Sequence, residues 1–412
     1  MPELRPPRGT HDLLGEDLRR HREVAETGRE LARRYGYAEI ATPIFEHLEV
    51  FARTLGDTSD VVTKEMYVFE DRGGDKLCLR PENTAAVARA VITGGMMQEL
   101  PLKLFYYGPM FRYERPQKGR LRQFHQIGVE LLGAAEPMGD VEVMALGQHI
   151  LDELGMSEHV TLELNTLGDK ESRQAYRGAL VAYLEGHKDR LSADSLHRLE
   201  RNPLRILDSK DPGDRAVLAD APPLEEHLNE ASRAFFAQVR DGLERLGVKY
   251  RTNPRLVRGL DYYTHTAFEF VTTALGSQGA VIAGGRYDGL MRDMGGPDVP
   301  GVGWAAGVER LSMLLPEAPA ADRPIAIVPI GSQAEPRAWE LAQRLRRAGY
   351  AVELAYKCKP GQRMKRADRL RARFAVSLGD DEIARDTVRL RDLDSGTDEE
   401  VATPRLLERL GA

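Results

Sequence analysis

The chain has 412 residues, which at ~150 residues per domain leaves room for two or three domains with a buried core and excludes a single small module. Its 58 basic against 64 acidic side chains give a net charge of −6, and 42% hydrophobic with 30% charged residues exclude a disordered chain or a coiled-coil rod. Cys78 and Cys358 are too few for a disulfide framework, and no run nears the ~18–20 apolar residues of a membrane span, so a cytoplasmic protein without membrane association is predicted.

From the N-terminus, Leu14, Leu18, Ala25, Gly28, Leu31, Ala32 and Tyr35 recur at near-helical spacing among arginines and glutamates, which predicts one amphipathic helix over 14–35. Tyr37–Phe45 reads as a strand with Pro43 at its end or on an edge, because proline cannot donate to a ladder. RPENTAA at 80–86 puts Glu82 and Thr84 at the start of an apolar helix. Thr84 or Asn83 could cap that helix, and Glu82 could instead meet a ligand ammonium. Lys103 to Gly133 reads as strand, polar turn, strand, an antiparallel hairpin. Residues 165–245, rich in Leu, Arg, Glu and Ala and broken by NPLRILDSKDPGD, read as a helical insertion. Strand signals return in HTAFEFVT and AVIAGGRYDGL, and GVGWAAG runs into the apolar helix VERLSMLL. Beyond the linker PEAPAADRP at 316–324, alternating strands and helices predict a small α/β domain.

Strand alternation places Arg112 and Glu114 on one face of the outgoing hairpin strand, and Arg122, Phe124, Gln126 and Glu130 on one face of the return strand. Ile127, Val129 and Leu131 take the opposite face, as a core requires. The polar face is either a solvated surface with cross-strand ion pairs or a ligand floor, where Arg112 meets a phosphate and Phe124 offers its ring to a base. In LVRGLDYYTHTAFEF, Arg258 and Gly259 precede a strand whose Tyr262 and Tyr263 face opposite sides, so that only one can look into a cavity; both could equally be half-buried strand residues. The paired glycines of GGRYDGL allow a close backbone approach or a plain turn. GVGWAAGVERL matches neither GxxxxGK[ST] nor GxGxxG. Its Gly301, Gly303 and Gly307 serve tight helix–strand packing, or a flat triphosphate bed with Arg310 as the cation. The ten histidines form neither HxxxH nor HExxH, so no protein-held metal is expected. Residues 341–373 carry eleven Lys or Arg against Glu353 and Asp368, a solvated helix face or an RNA footprint.

RGTHD at 8–12, the Pro43 segment, RPENT, FRYERPQKGRLRQFHQIGVE, NPLRILDSKD, RGLDYYT, GGRYDGL and GVGWAAGVERL, in this order, resemble the histidyl-tRNA synthetases, a family of class II aminoacyl-tRNA synthetases, nearly end to end. RGLDYY with GGRYDGL is the specific part, and Asn83 departs from the family's more usual glycine. The resemblance implies an α+β fold, an antiparallel sheet flanked by helices. The catalytic core would comprise 1–164 and 245–318, a helical insertion 165–244 and an anticodon-binding α/β domain 324–412. It further implies a homodimer that activates L-histidine with ATP, Mg²⁺ being carried on the nucleotide, and transfers histidine to the 3′ end of tRNA(His).

In that scheme Arg112 holds the α-phosphate, Arg258 bridges the carboxylate and α-phosphate, and Arg310 clamps the γ-phosphate. Phe124 is the adenine platform, with Glu114 at the adenine edge or partnering the arginines. Glu82, Thr84 and Gln126 take the amino group, Glu130 and Tyr263 the imidazole, and Tyr287 lines the pocket. These residue types suit the chemistry. The histidine carboxylate is ionised at neutral pH and needs no general base, so the obstacle is negative charge, which cations aimed at the phosphates offset. The nearest alternative is the non-charging, synthetase-like regulatory subunit of ATP phosphoribosyltransferase. It is expected to lack the C-terminal domain and to have an eroded RGLDYY, and this chain keeps both.

Overall fold

A computed structural model describes residues 3–55, 61–257, 262–276, 279–356 and 359–411. The chain divides into two compact units between Pro319 and Ala320.

In the first unit, α1 (Gly15–Arg34) buries Val24, Ala25, Gly28, Leu31 and Ala32 along one stripe, with Glu16 and Asp17 in its first turn and Arg33 and Arg34 in its last, matching the helix dipole. The segment expected as one strand over 37–45 forms two instead, β1 (Ala38–Glu39) and β2 (Phe45–His47), because Pro43 between them has no N–H to continue a ladder. After α2 (Leu48–Leu55), β3 (Val68–Glu70) and β4 (Lys76–Leu79) join β2 in a small sheet, and α3 (Thr84–Thr93) follows. The hairpin forms as expected, from β5 (Leu102–Phe111) and β6 (Gln123–Leu132). Then come α4 (Pro137–Glu153), β7 (Thr161–Thr166), α5 (Lys170–Glu185), α6 (Ala193–Arg201), α7 (Pro212–Leu218) and α8 (Glu230–Arg245). The unit closes with β8 (Tyr250–Thr252), β9 (Thr264–Val271), β10 (Ala280–Arg286), α9 (Leu290–Asp293), β11 (Gly301–Gly307) and α10 (Val308–Leu314).

Among the described residues the main sheet has eight strands, ordered β1-β5-β6-β11-β10-β9-β7-β8. It is mixed. The interior pairs are antiparallel, but β1 runs parallel to β5 and β8 parallel to β7. The second exception follows from the helices between β7 and β8, which return the chain to the same end of the sheet as a parallel crossover requires. One face packs against α1, α4, α8 and α10 around Ile127, Val129, Phe268, Phe270 and Trp304. The other meets α3, α5, α6, α7 and α9. The arginine of GGRYDGL, Arg286, is fully buried and holds Asp140 of α4, the Ala134 carbonyl and Asp288, so it anchors the end of β10.

In the second unit, β12 (Ile325–Pro329), α11 (Ala334–Arg347), β13 (Val352–Glu353), α12 (Pro360–Arg369), β14 (Phe374–Leu378), α13 (Asp380–Ala384), β15 (Thr387–Asp392), β16 (Asp398–Ala402) and α14 (Leu406–Leu410) form the α/β arrangement expected. The sheet order is β13-β12-β14-β15-β16, parallel among the first three and antiparallel beyond. Among the described residues no helix is long and apolar enough to cross a membrane.

Candidate active site

A cavity of about 1000 Å³ opens over β6, β10 and β11. Alternation along β6 turns Phe124 and Gln126 into it, while Ile127 and Val129 join the core behind. Glu82, Thr84, Arg112, Glu114, Tyr263, Tyr287 and Arg310 line the same space, so most of the residues singled out in the sequence meet in one place. Arg258 lies outside the described residues.

The cations converge. Arg310 donates through Nε to the Gly119 carbonyl at 2.9 Å and through Nη1 to the Ala280 carbonyl at 2.8 Å, which aims it from α10 toward the hairpin. Burial first, then repulsion from Arg120 and Arg112, pulls its guanidinium below the ordinary arginine range. A guanidinium stays charged even so. Arg112 donates from Nε to the Pro81 carbonyl at 2.9 Å, and its guanidinium carbon stands 5.3 Å from the centroid of the Phe124 ring. Glu114 pairs with Arg120 at 2.5 Å and stands 4.0 Å from Arg112, so it partners the arginines. Arg120, in the polar turn between the hairpin strands, reaches the cavity because Gln117 and Arg120 bridge around Gly119, which takes a left-handed φ of 70°. A glycine inside a basic turn was the signal for that fold-back.

A second group lies deeper. Glu130 is 1% exposed; its Oε1 accepts from the Thr84 hydroxyl at 2.7 Å and its Oε2 accepts from the Tyr287 hydroxyl. Burial pushes the Glu130 carboxyl up to about 8, against the pull of those two hydroxyls. Glu82, 5% exposed, accepts from the backbone N–H of Thr84 at 2.7 Å and of Ala85 at 3.0 Å, and burial raises its carboxyl too. Asn83 stands at the N-cap of α3 without a side-chain cap bond, and the capping side chain is Glu82 instead of the expected Thr84 or Asn83. Asn83 instead accepts from Thr42 and Arg80, and its φ of −119° is one any residue adopts, so glycine is not needed there. The expectation that only one tyrosine of RGLDYY faces the cavity is wrong. Both Tyr262 and Tyr263 line it, with ring centroids 4.6 Å apart, because they precede β9 and escape its alternation.

Register explains the glycine of β11. Gly303 lies opposite Glu130, and a Cβ there would collide with Glu130 Oε2 and the Val129 carbonyl. Gly303→Ala should therefore lower stability by about 1–3 kcal/mol, as overpacking does, and a thermal melt of the variant against the unaltered protein checks it.

The segment from α6 to α7 also reaches this space, through Arg198, Arg205 and Lys210. A different cluster, His21, His125 and Glu309, brings its donor atoms within 4.8 Å of one another, although the sequence showed no metal-ligand spacing.

The family profile described as histidyl-tRNA synthetase matches residues 9–311, and that of an anticodon binding domain matches 324–412. The chain belongs to the histidyl-tRNA synthetase family. It is 63% identical over 411 residues to a histidine–tRNA ligase of Rhodospirillum rubrum, covering 100% of this chain and 99% of that one. To the protein of the same name in Gluconacetobacter diazotrophicus it is 58% identical over 402 residues, covering 98% and 97%. The crystal structure of apo S. aureus histidyl-tRNA synthetase superposes with a TM-score of 0.83 at 37% identity, covering 99% of each chain. Family membership spans both units, so the resemblance carried by the motifs is borne out.

Proposed function

We propose that the protein activates L-histidine with ATP to histidyl-adenylate in this cavity and then transfers histidine to the 3′ end of tRNA(His). The observation that carries the reading is the convergence of Arg112, Arg120 and Arg310 beside a pocket backed by Glu130, Thr84 and Tyr287. At Arg310 the repulsion from Arg120 and Arg112 outweighs the attraction of Glu114 and Glu269, and a nucleotide triphosphate would supply the further negative charge.

ATP lies with adenine on Phe124 and its phosphates among the arginines, and Mg²⁺ enters as the nucleotide's counter-ion. The α-carboxylate of histidine attacks the α-phosphorus and pyrophosphate leaves. Arg112 is assigned to the α-phosphate, Arg258 to the bridge between carboxylate and α-phosphate, and Arg310 to the γ-phosphate. Glu82, Thr84 and Gln126 face the amino group. Glu130 and Tyr263 address the imidazole, with Tyr287 holding Glu130 in place.

The 3′ hydroxyl of tRNA attacks the adenylate carbonyl in the second step, with a phosphate oxygen as proton acceptor. The unit from Ala320 onward is assigned to the anticodon end. Its basic stretch is thinner than the sequence count suggests, because Arg363 is 3% exposed and paired with Glu335. Lys357 lies outside the described residues. The dimer reading is supported by exposed Ile44, Phe45, Val68 and Phe69 around the small β2–β4 sheet, apolar surface that a second copy would cover. Such a charging enzyme works in the cytoplasm.

Histidine-dependent exchange of pyrophosphate into ATP tests the reading. Exchange is expected with histidine and not with phenylalanine. Histidine binding without exchange would favour the regulatory-subunit alternative.

A further inference from the structure

At the cavity wall, which includes Glu309, three side chains from distant parts of the sequence meet: His21 of α1, His125 of β6 and Glu309 of α10. Both carboxylate oxygens of Glu309 accept from the backbone N–H of His125 at 2.9 Å, and Oε1 also lies 2.9 Å from His125 Nδ1. His21 is 2% exposed, and its Nε2 points at the same oxygen from 3.7 Å. The two imidazoles meet edge to face with centroids 4.6 Å apart, and the Tyr107 hydroxyl lies 3.4 Å from His21 Nδ1. Burial pushes the Glu309 carboxyl up, but the hydrogen bonds from His125 and the nearby His21 ring outweigh it and hold the group down at about 2. Glu309 is therefore an anion at neutral pH.

Position gives the cluster its role. The pleat turns Phe124 and Gln126 toward the cavity and His125 away from it, and Glu309, which itself forms part of the cavity wall, grips β6 at the residue between them. The residue after Glu309 is Arg310, which turns into the cavity. One carboxylate thus ties the strand bearing the ring to the helical turn bearing the cation. The deeper pocket has its own anchor in Glu130, Thr84 and Tyr287.

We propose that Glu309, gripped by His125 and backed by His21, is a positioning residue for the ATP half of the site, fixing the spacing between Phe124 and Arg310. The proposal rests on the ATP reading given above. The same atoms could be taken for a metal site. However, the 2.9 Å between His125 Nδ1 and Glu309 Oε1 is the separation of a shared proton, whereas tetrahedral zinc ligands, each ~2.0 Å from the ion, stand farther apart.

Steady-state exchange kinetics at varied ATP and varied histidine test it. Glu309→Gln keeps one acceptor and should raise the ATP KM about tenfold, as loss of a hydrogen bond to a charged group does, while the histidine KM moves less than about twofold. Glu309→Ala should raise the ATP KM further. His21→Phe keeps a ring in the buried slot and should raise it about threefold, which tests the cluster even where Glu309 variants fold poorly. Equal rises in both KM values, or a loss confined to kcat, would overturn the proposal while leaving the ATP reading intact. One equivalent of zinc in the purified protein, lost with Glu309→Gln, would overturn it as well. Failure of the unaltered protein to exchange at all removes the ATP reading and this proposal with it.

Discussion

Arg310→Ala should lower kcat/KM for ATP in histidine-dependent exchange by about 10²–10³-fold, the scale on which a preorganised charge at a transferring group acts. The structure supplies the reason. Arg310 is held by two backbone carbonyls, so little reorganisation is needed when negative charge develops. Its neighbours Arg112 and Arg120 raise the potential at the same spot, which is unfavourable in the empty cavity and favourable once phosphates enter. Arg310→Lys keeps the charge without the fork that reaches both carbonyls, so it should recover only part of the loss. The histidine KM should change little. An Arg310→Ala enzyme within threefold of the unaltered one would remove this residue from the phosphate site.

Glu130→Ala should raise the histidine KM by about 10²–10³-fold and the ATP KM by far less, because a site built on polar pairs rejects a ligand strongly when one partner is missing. Equal losses in both would count against the assignment. The same side chain should leave a mark on stability. Its carboxyl sits near 8 in the folded protein against an ordinary value of 4.5, raised by burial. A carboxyl raised in this way contributes stability that is fully present below 4.5 and is lost as pH rises through about 8. Glu130→Gln stays neutral throughout. The melting temperature of the unaltered protein should therefore fall relative to Glu130→Gln between pH 5 and pH 8, and parallel melting curves would show that Glu130 is ionised throughout.

Much of this was legible in the sequence because alternation is a rigid rule. It put Phe124, Gln126 and Glu130 on one face of β6 and Ile127, Val129 and Leu131 on the other, and the structure keeps that division. The rule failed at Tyr262 and Tyr263, which stand before the strand begins. It was silent on β16, whose DEEVA is an edge strand with only Val401 buried and so lacks an apolar signal. Groups that meet only through tertiary packing were invisible. His21, His125 and Glu309 come from three separate elements, and no local spacing links them. Glu82 was recognised as a carboxylate of interest, but its bonds to the first N–H groups of α3 depend on a backbone turn that a string of letters does not encode.

The bare backbone of Gly303 against Glu130 has a consequence for anyone wishing to alter what this enzyme accepts. On the proposed reading, amino acid choice relies on a missing methyl group, because the floor at Gly303 has no atoms left to trim and no room to gain any. Engineering toward bulkier unnatural heterocycles must start from the aromatic wall at Tyr262, Tyr263 and Tyr287, where rings can be shortened, and leave the floor as it stands.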